Sequence, residues 1–142
     1  MSFSRTQGEV EAQIGADFGK FYAELFTRGP KHIKVHMLPA AAVVVTQNTF
    51  TPAEKQILAP DGFHDETGRA MFKAMRARII AANRAALTSI VEHAAGVVVT
   101  CFHHDMSAVT GEEAFVFSLQ ETPDYRRNHT SNGHAKSSFV RR

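Results

Sequence analysis

The sequence predicts an α+β domain: two antiparallel β-hairpins form a four-stranded sheet packed against an N-terminal helix and a long central helix, in the order α-ββ-α-α-ββ. Three observations predict it. Two long segments carry apolar residues at spacings of three and four, the period of one buried helix face. Four short segments alternate with period two or run through β-branched and aromatic residues, as strands do. Pro and Gly fall between these segments and punctuate them. At 142 residues, with 44% hydrophobic and 21% charged, the chain has the composition and length of one globular core.

The first helix is expected from about Ser4 to Thr27, because Val10, Ile14, Phe18, Phe21, Tyr22 and Leu25 recur on one face and Gly29-Pro30 follows. Ile33, Val35 and Met37 then alternate with His32, Lys34 and His36 in a half-buried strand. After Pro39-Ala40 a second strand spans Ala41 to Thr46, and its consecutive Val43, Val44 and Val45 predict a central strand covered on both faces. Thr51-Pro52-Ala53-Glu54 is a capping box with Pro at the first helical position, so a short helix should run from there to about Leu58 and break at Pro60-Asp61-Gly62.

From Gly68 to Ala95 neither Pro nor a further Gly interrupts the periodic pattern. Unbroken, that helix is about 42 Å long, whereas a domain of this size is about 37 Å across. The excess length predicts a helix that protrudes, kinks or packs on a second subunit, and a homodimer is the reading favoured. Val97 to His103 and Ala114 to Leu119, joined through a turn at Thr110-Gly111, form the second hairpin. The domain is therefore expected to occupy residues 1–123, with 124–142 a disordered basic tail too poor in apolar residues to offset its ordering entropy.

That division also explains the charge. The net charge is +2, but the segment from Asp124 onward holds five basic residues and one acidic, leaving 11 basic and 13 acidic before it. Basicity thus belongs to the tail, and nucleic acid is an unlikely partner for the folded part. No apolar run reaches the roughly 18 residues that span a bilayer, and the N-terminus lacks the order of a secretory signal. A cytoplasmic chain is expected, at most peripheral to the inner face of the membrane. The single Cys101 excludes an internal disulfide framework and a multi-thiolate zinc site.

Gly29-Pro30, Thr51-Pro52-Ala53-Glu54, Gly68-Arg69 and the stretch Asp105-Met106-Ser107-Ala108-Val109-Thr110-Gly111-Glu112, with Phe117 beyond, occur in an order that resembles the family of Na+-translocating membrane-potential-generating proteins, MpsC-like, over roughly residues 8 to 121. The resemblance implies association with a membrane energy-coupling or ion-coupled uptake system and carries over no catalytic residue. His103-His104 and the tail stand outside the family's pattern. A chain with no spanning segment cannot itself move sodium, so the expected role is that of an accessory to membrane transport or energy-coupling subunits.

Candidate chemistry is sparse. A composite metal site of His36, His103 and Asp105 requires the hairpins to pair suitably, because His32 and His36 sit about 13 Å apart along one strand. The reading adopted is no metal, no cofactor and histidines that are exposed or partner-facing. Cys101 in an apolar strand is a small core residue rather than a thiolate, and no Gly-x-Ser-x-Gly elbow surrounds Ser107. Glu112-Glu113 reads as a solvated hairpin end. No phosphate-binding glycine loop is present. The chain is therefore expected not to be an enzyme. Arg69, Lys73, Arg76 and Arg84 share one side of the long helix and are the candidate partner-binding residues; the alternative function is a small-ligand or metal-binding sensor.

Overall fold

A computed structural model describes residues 5–59 and 65–127. The elements are α1 (Gln7–Phe26), β1 (His32–Leu38), β2 (Ala41–Gln47), α2 (Pro52–Leu58), α3 (Glu66–Ala82), α4 (Arg84–Ala95), β3 (Val99–Met106) and β4 (Glu112–Leu119). The α+β class and the element order match expectation, with one further helix. The Pro60-Asp61-Gly62 break and all tail residues past 127 lie outside the described residues.

The four strands form one antiparallel sheet in the order β1-β2-β4-β3. The hairpins join through their second strands, Val44 opposite Phe115, which makes β2 and β4 central. Residues 42, 44 and 46 of β2 and 113, 115, 117 and 119 of β4 point to the helices and are buried. The expectation that β2 is covered on both faces is corrected: Val43 and Val45 on its other side are only half-buried, and no described element lies over them.

The starts of α1 and α2 are chemically explained. Thr6 Oγ1 accepts from the Glu9 amide at 3.1 Å while the Glu9 carboxylate accepts from the Thr6 amide at 2.9 Å, a capping box that starts α1. Thr51 and Glu54 repeat it at 3.1 and 2.8 Å for α2. Ile14, Phe18 and Tyr22 of α1 and Leu87 and Val91 of α4 meet Val44, Phe115 and Phe117 in the main core. The Phe18 ring packs edge-on against Phe115 and Phe117, with centroids 5.1 and 6.1 Å apart. A smaller cluster of Leu58, Phe72, Met106 and Ala108 holds α2 and α3 to the end of β3.

The uninterrupted helix 68–95 is also corrected. Asn83 divides it: its Nδ2 donates to the Ile79 carbonyl at 2.9 Å and its amide donates to Ile80 at 3.0 Å, closing α3, while its own carbonyl receives the Leu87 amide of α4. An Asn side chain that bonds the preceding turn offers the backbone an alternative to continuing the helix. Among the described residues the longest helix is then α1 at 20 residues, about 30 Å, and helix length no longer calls for a second subunit. Packing also runs beyond the expected boundary at 123, because Tyr125 lies against the main core and the Arg126 amide donates to the Arg5 carbonyl at 2.7 Å.

Candidate functional site

The inward phase of β4 begins with a charged residue. Glu113 precedes Phe115, Phe117 and Leu119 at period two, and its side chain is fully buried. α3 places Arg76 opposite it, in phase with Gly68, Phe72 and Ile80 on the buried stripe of that helix. The Arg76 Nη1 donates to Glu113 Oε1 at 3.1 Å. The same oxygen accepts from the Tyr22 hydroxyl of α1 at 2.5 Å and from Asn48 Nδ2 at 2.9 Å. Glu113 Oε2 lies 2.8 Å from His104 Nε2 of β3. An ionised carboxylate only accepts, so Nε2 carries the hydrogen.

Three elements and the loop after β2 thus converge on one carboxylate of β4. Asn48 is held by its own contacts, its two Nδ2 hydrogens shared among Glu113 Oε1, the Gly111 carbonyl at 3.0 Å and Thr46 Oγ1 at 3.1 Å. Gly111 is required there: its φ is +82°, and a Cβ would sit 2.5 Å from the Asn48 carbonyl oxygen. The Arg76 guanidinium lies 4.1 Å from the Phe26 ring centroid, a cation–π contact that covers the charge. Burial, reinforced by the charge on Glu113, holds the Tyr22 phenol far above its usual range. With three donors on Oε1 and one on Oε2, both oxygens are paired, and the carboxylate acts as a tie between helices and sheet. A cavity of about 70 Å³, lined in part by Tyr22, Phe26, Asn48, Glu54 and Arg76, adjoins it.

A larger groove of about 510 Å³ lies where α3 meets the β3–β4 turn, lined in part by Arg69, Lys73, Asp105, Ser107 and Glu112. Lys73 Nζ is 3.3 Å from Asp105 Oδ1. A hydrogen bond from the Met106 amide, aided by Lys73, holds the Asp105 carboxyl below its usual range. Ser107 Oγ accepts from the amides of Val109 and Thr110 at 3.2 and 3.1 Å, which shapes the turn as its Ser-Thr-Gly sequence suggests.

The candidate partner-binding residues are dispersed. Arg69 and Lys73 remain together at the groove. Arg76 turns inward to Glu113 and is 5% exposed, which takes it off any docking surface. Arg84 lies past the break at Asn83, with its guanidinium 5.2 Å from the Phe102 ring centroid. The composite metal set does not assemble within one chain. His36 is on β1, at one edge of the sheet, and His103 and Asp105 are on β3, at the other, about 14 Å away across three strand spacings. Among the described residues no three His, Cys, Asp or Glu side chains are grouped to hold a metal. Cys101 faces outward, its Sγ 3.2 Å from His103 Nε2, rather than into the core.

Sequence reasoning missed Glu113, Tyr22, His104 and Asn48 as a group. The signal for the central pair was present: Glu113 alternates with the inward aromatics of β4, and Arg76 stands four residues from both Phe72 and Ile80. Two opposite charges, each in the apolar phase of its element, mark a buried pair.

Comparison with known proteins adds kinship. A family model described as Na+-translocating membrane potential-generating system (MpsC) matches residues 6–121. A protein of Bacillus subtilis (strain 168), described as uncharacterized protein YbcI, is 25% identical over 115 residues, covering 81% of this chain and 89% of that protein. No solved structure matches.

Proposed function

Because the chain belongs to the Na+-translocating membrane potential-generating system (MpsC) family, we propose that it is a non-enzymatic, homodimeric accessory protein that docks from the cytoplasm onto membrane subunits of an ion-coupled energy system. The family match carries this reading. It is supported by a physical constraint: among the described residues no helix is long and apolar enough to cross a membrane, so a transport role for this part of the chain runs through other subunits. The groove bearing Arg69 and Lys73 is the docking feature we assign to such a partner. Crosslinking in intact cells, followed by pulldown from separated membranes and cytosol, tests the proposal. Membrane proteins should copurify, and Arg69→Ala together with Lys73→Ala should reduce their yield. Recovery from cytosol alone, with no membrane protein attached, overturns it.

The same groove favours a second reading, a sensor for a small ligand. A concavity of about 510 Å³ is within the size range of small-molecule sites, and Arg69 and the Ser107 hydroxyl offer donors to an anionic group there, beside the Lys73–Asp105 pair and Glu112. Thermal shift of the purified chain across a panel of small anions should then show stabilisation that Arg69→Ala removes; a flat panel rejects the sensor.

A further inference from the structure

The sheet face turned away from the helices has its own pattern. Strand register lines up two rows across it. One reads Lys34, Val45, Ala114, Asp105, and the next reads His36, Val43, Val116, His103. The centre is apolar and small, one edge is basic and the other carries Asp105, whose side chain pairs with Lys73 of α3 at 3.3 Å and is still 80% exposed. Valines on both faces of a central strand are what a doubly covered sheet requires, yet no described element lies over this face.

We propose that this face seats a second copy of the chain, related by a two-fold axis lying between the two sheets and parallel to their strands. The inference rests on the homodimer part of the proposed function and identifies its surface. Such an axis keeps each residue's position along the strand and reverses strand order, so β1 lies over the partner's β3 and β2 over the partner's β4. Lys34 then faces the partner's Asp105, Val45 faces the partner's Ala114 and Val43 faces the partner's Val116, each contact occurring twice. His36 faces the partner's His103, which brings together across the interface the histidines that one chain holds about 14 Å apart. The alternative two-fold, perpendicular to the strands, keeps strand order and reverses position along each strand, which stacks the basic edge on itself, Lys34 against the partner's His36 with the axis between the two rows. Charge therefore selects the first axis. Face-to-face sheets pack about 10 Å apart with strands nearly aligned, a gap that these side chains span.

The face measures about 19 by 24 Å, on the order of 450 Å² a side and well under the roughly 800 Å² of a standard interface. Self-association should accordingly be weak, and sedimentation of the full chain over a wide concentration range is the suitable measurement. Native protein should dimerise. Lys34→Glu and Asp105→Lys should each raise the dimer dissociation constant by about tenfold or more, and the double reversal should restore it to within about threefold. Val43→Arg should give a monomer, with circular dichroism confirming the fold. Independently of charge, in a Cys101→Ser background, chains carrying Val43→Cys mixed with chains carrying Val116→Cys should be joined by a short bis-maleimide. A dimer indifferent to Val43→Arg and to both reversals uses another surface, which overturns this inference and leaves the accessory reading standing. A native chain that stays monomeric throughout overturns the inference and the homodimer together.

Discussion

Removing the Glu113 charge strands Arg76, and that sets the largest single-residue effect expected in this protein. The Arg76–Glu113 pair is 7% and 0% exposed at the side chains, so Glu113→Gln leaves a guanidinium desolvated without its counter-ion, at a cost of about 3 to 5 kcal/mol. Urea unfolding should read that loss; a change below about 1 kcal/mol would mean that Arg76 recovers solvent through the adjoining cavity. Tyr22 gives the network a pH signature. Its phenol is held above its usual range by burial and then by Glu113, so its contribution is intact below the unfolded value of about 10 and is lost as pH rises past it. Above that pH the unfolded chain releases a proton that the folded chain keeps, and stability should fall by about 1.4 kcal/mol per pH unit. Tyr22→Phe should remove this alkaline slope, and absorbance titration of the native chain should show Tyr22 ionising only as the protein unfolds. None of these roles was legible residue by residue. Glu113 next to Glu112 resembles a solvated pair until β4 is placed in phase with its aromatics, and its partners lie on elements distant in sequence.

At the scale of elements, local chemistry was readable where its partners are local. Thr51, Pro52 and Glu54 announce the start of α2 because a capping box closes within four residues. The division at Asn83 was hidden because Asn is tolerated within helices and only its side chain's turn toward Ile79 ends one. The long basic stripe failed with it, since Arg84 belongs to a different helix from Arg69 and Lys73. Gly68 stood out only as a helix boundary, yet it sets how closely α2 approaches α3. A Cβ there would lie 2.0 Å from the Ile57 carbonyl oxygen, and backbone cannot give way as a flexible side chain does. Gly68→Ala should therefore cost upwards of about 3 kcal/mol despite the better helix propensity of Ala. Chemical denaturation checks the sign: a stabilised variant would mean that the two helices separate freely.

For the molecule as a whole, consecutive valines predicted that β2 is central, but what covers its outer side depends on neighbours that a strand's own sequence does not name. Charge bookkeeping had the same limit at the C-terminus. A composition shift at Asp124 suggested that the fold ends there, whereas Tyr125 packs on the core and Arg126 reaches both the Arg5 carbonyl and the Glu9 carboxylate, the latter at 3.2 Å. Residues 124–127 therefore close the open end of the domain over the start of α1. Chains ending at 123 and at 127 should differ in stability by about 2 kcal/mol, the value of one partly buried aromatic plus a backbone hydrogen bond. The Tyr125 hydroxyl, buried with no hydrogen-bond partner, separates packing from polarity within that difference. Tyr125→Phe removes an unpaired polar atom and keeps the ring, so it should be neutral or stabilising by up to about 1 kcal/mol, whereas Tyr125→Ala should lose most of what truncation loses. Equal losses for Phe and Ala would place the stabilisation in the hydroxyl and contradict the packing account.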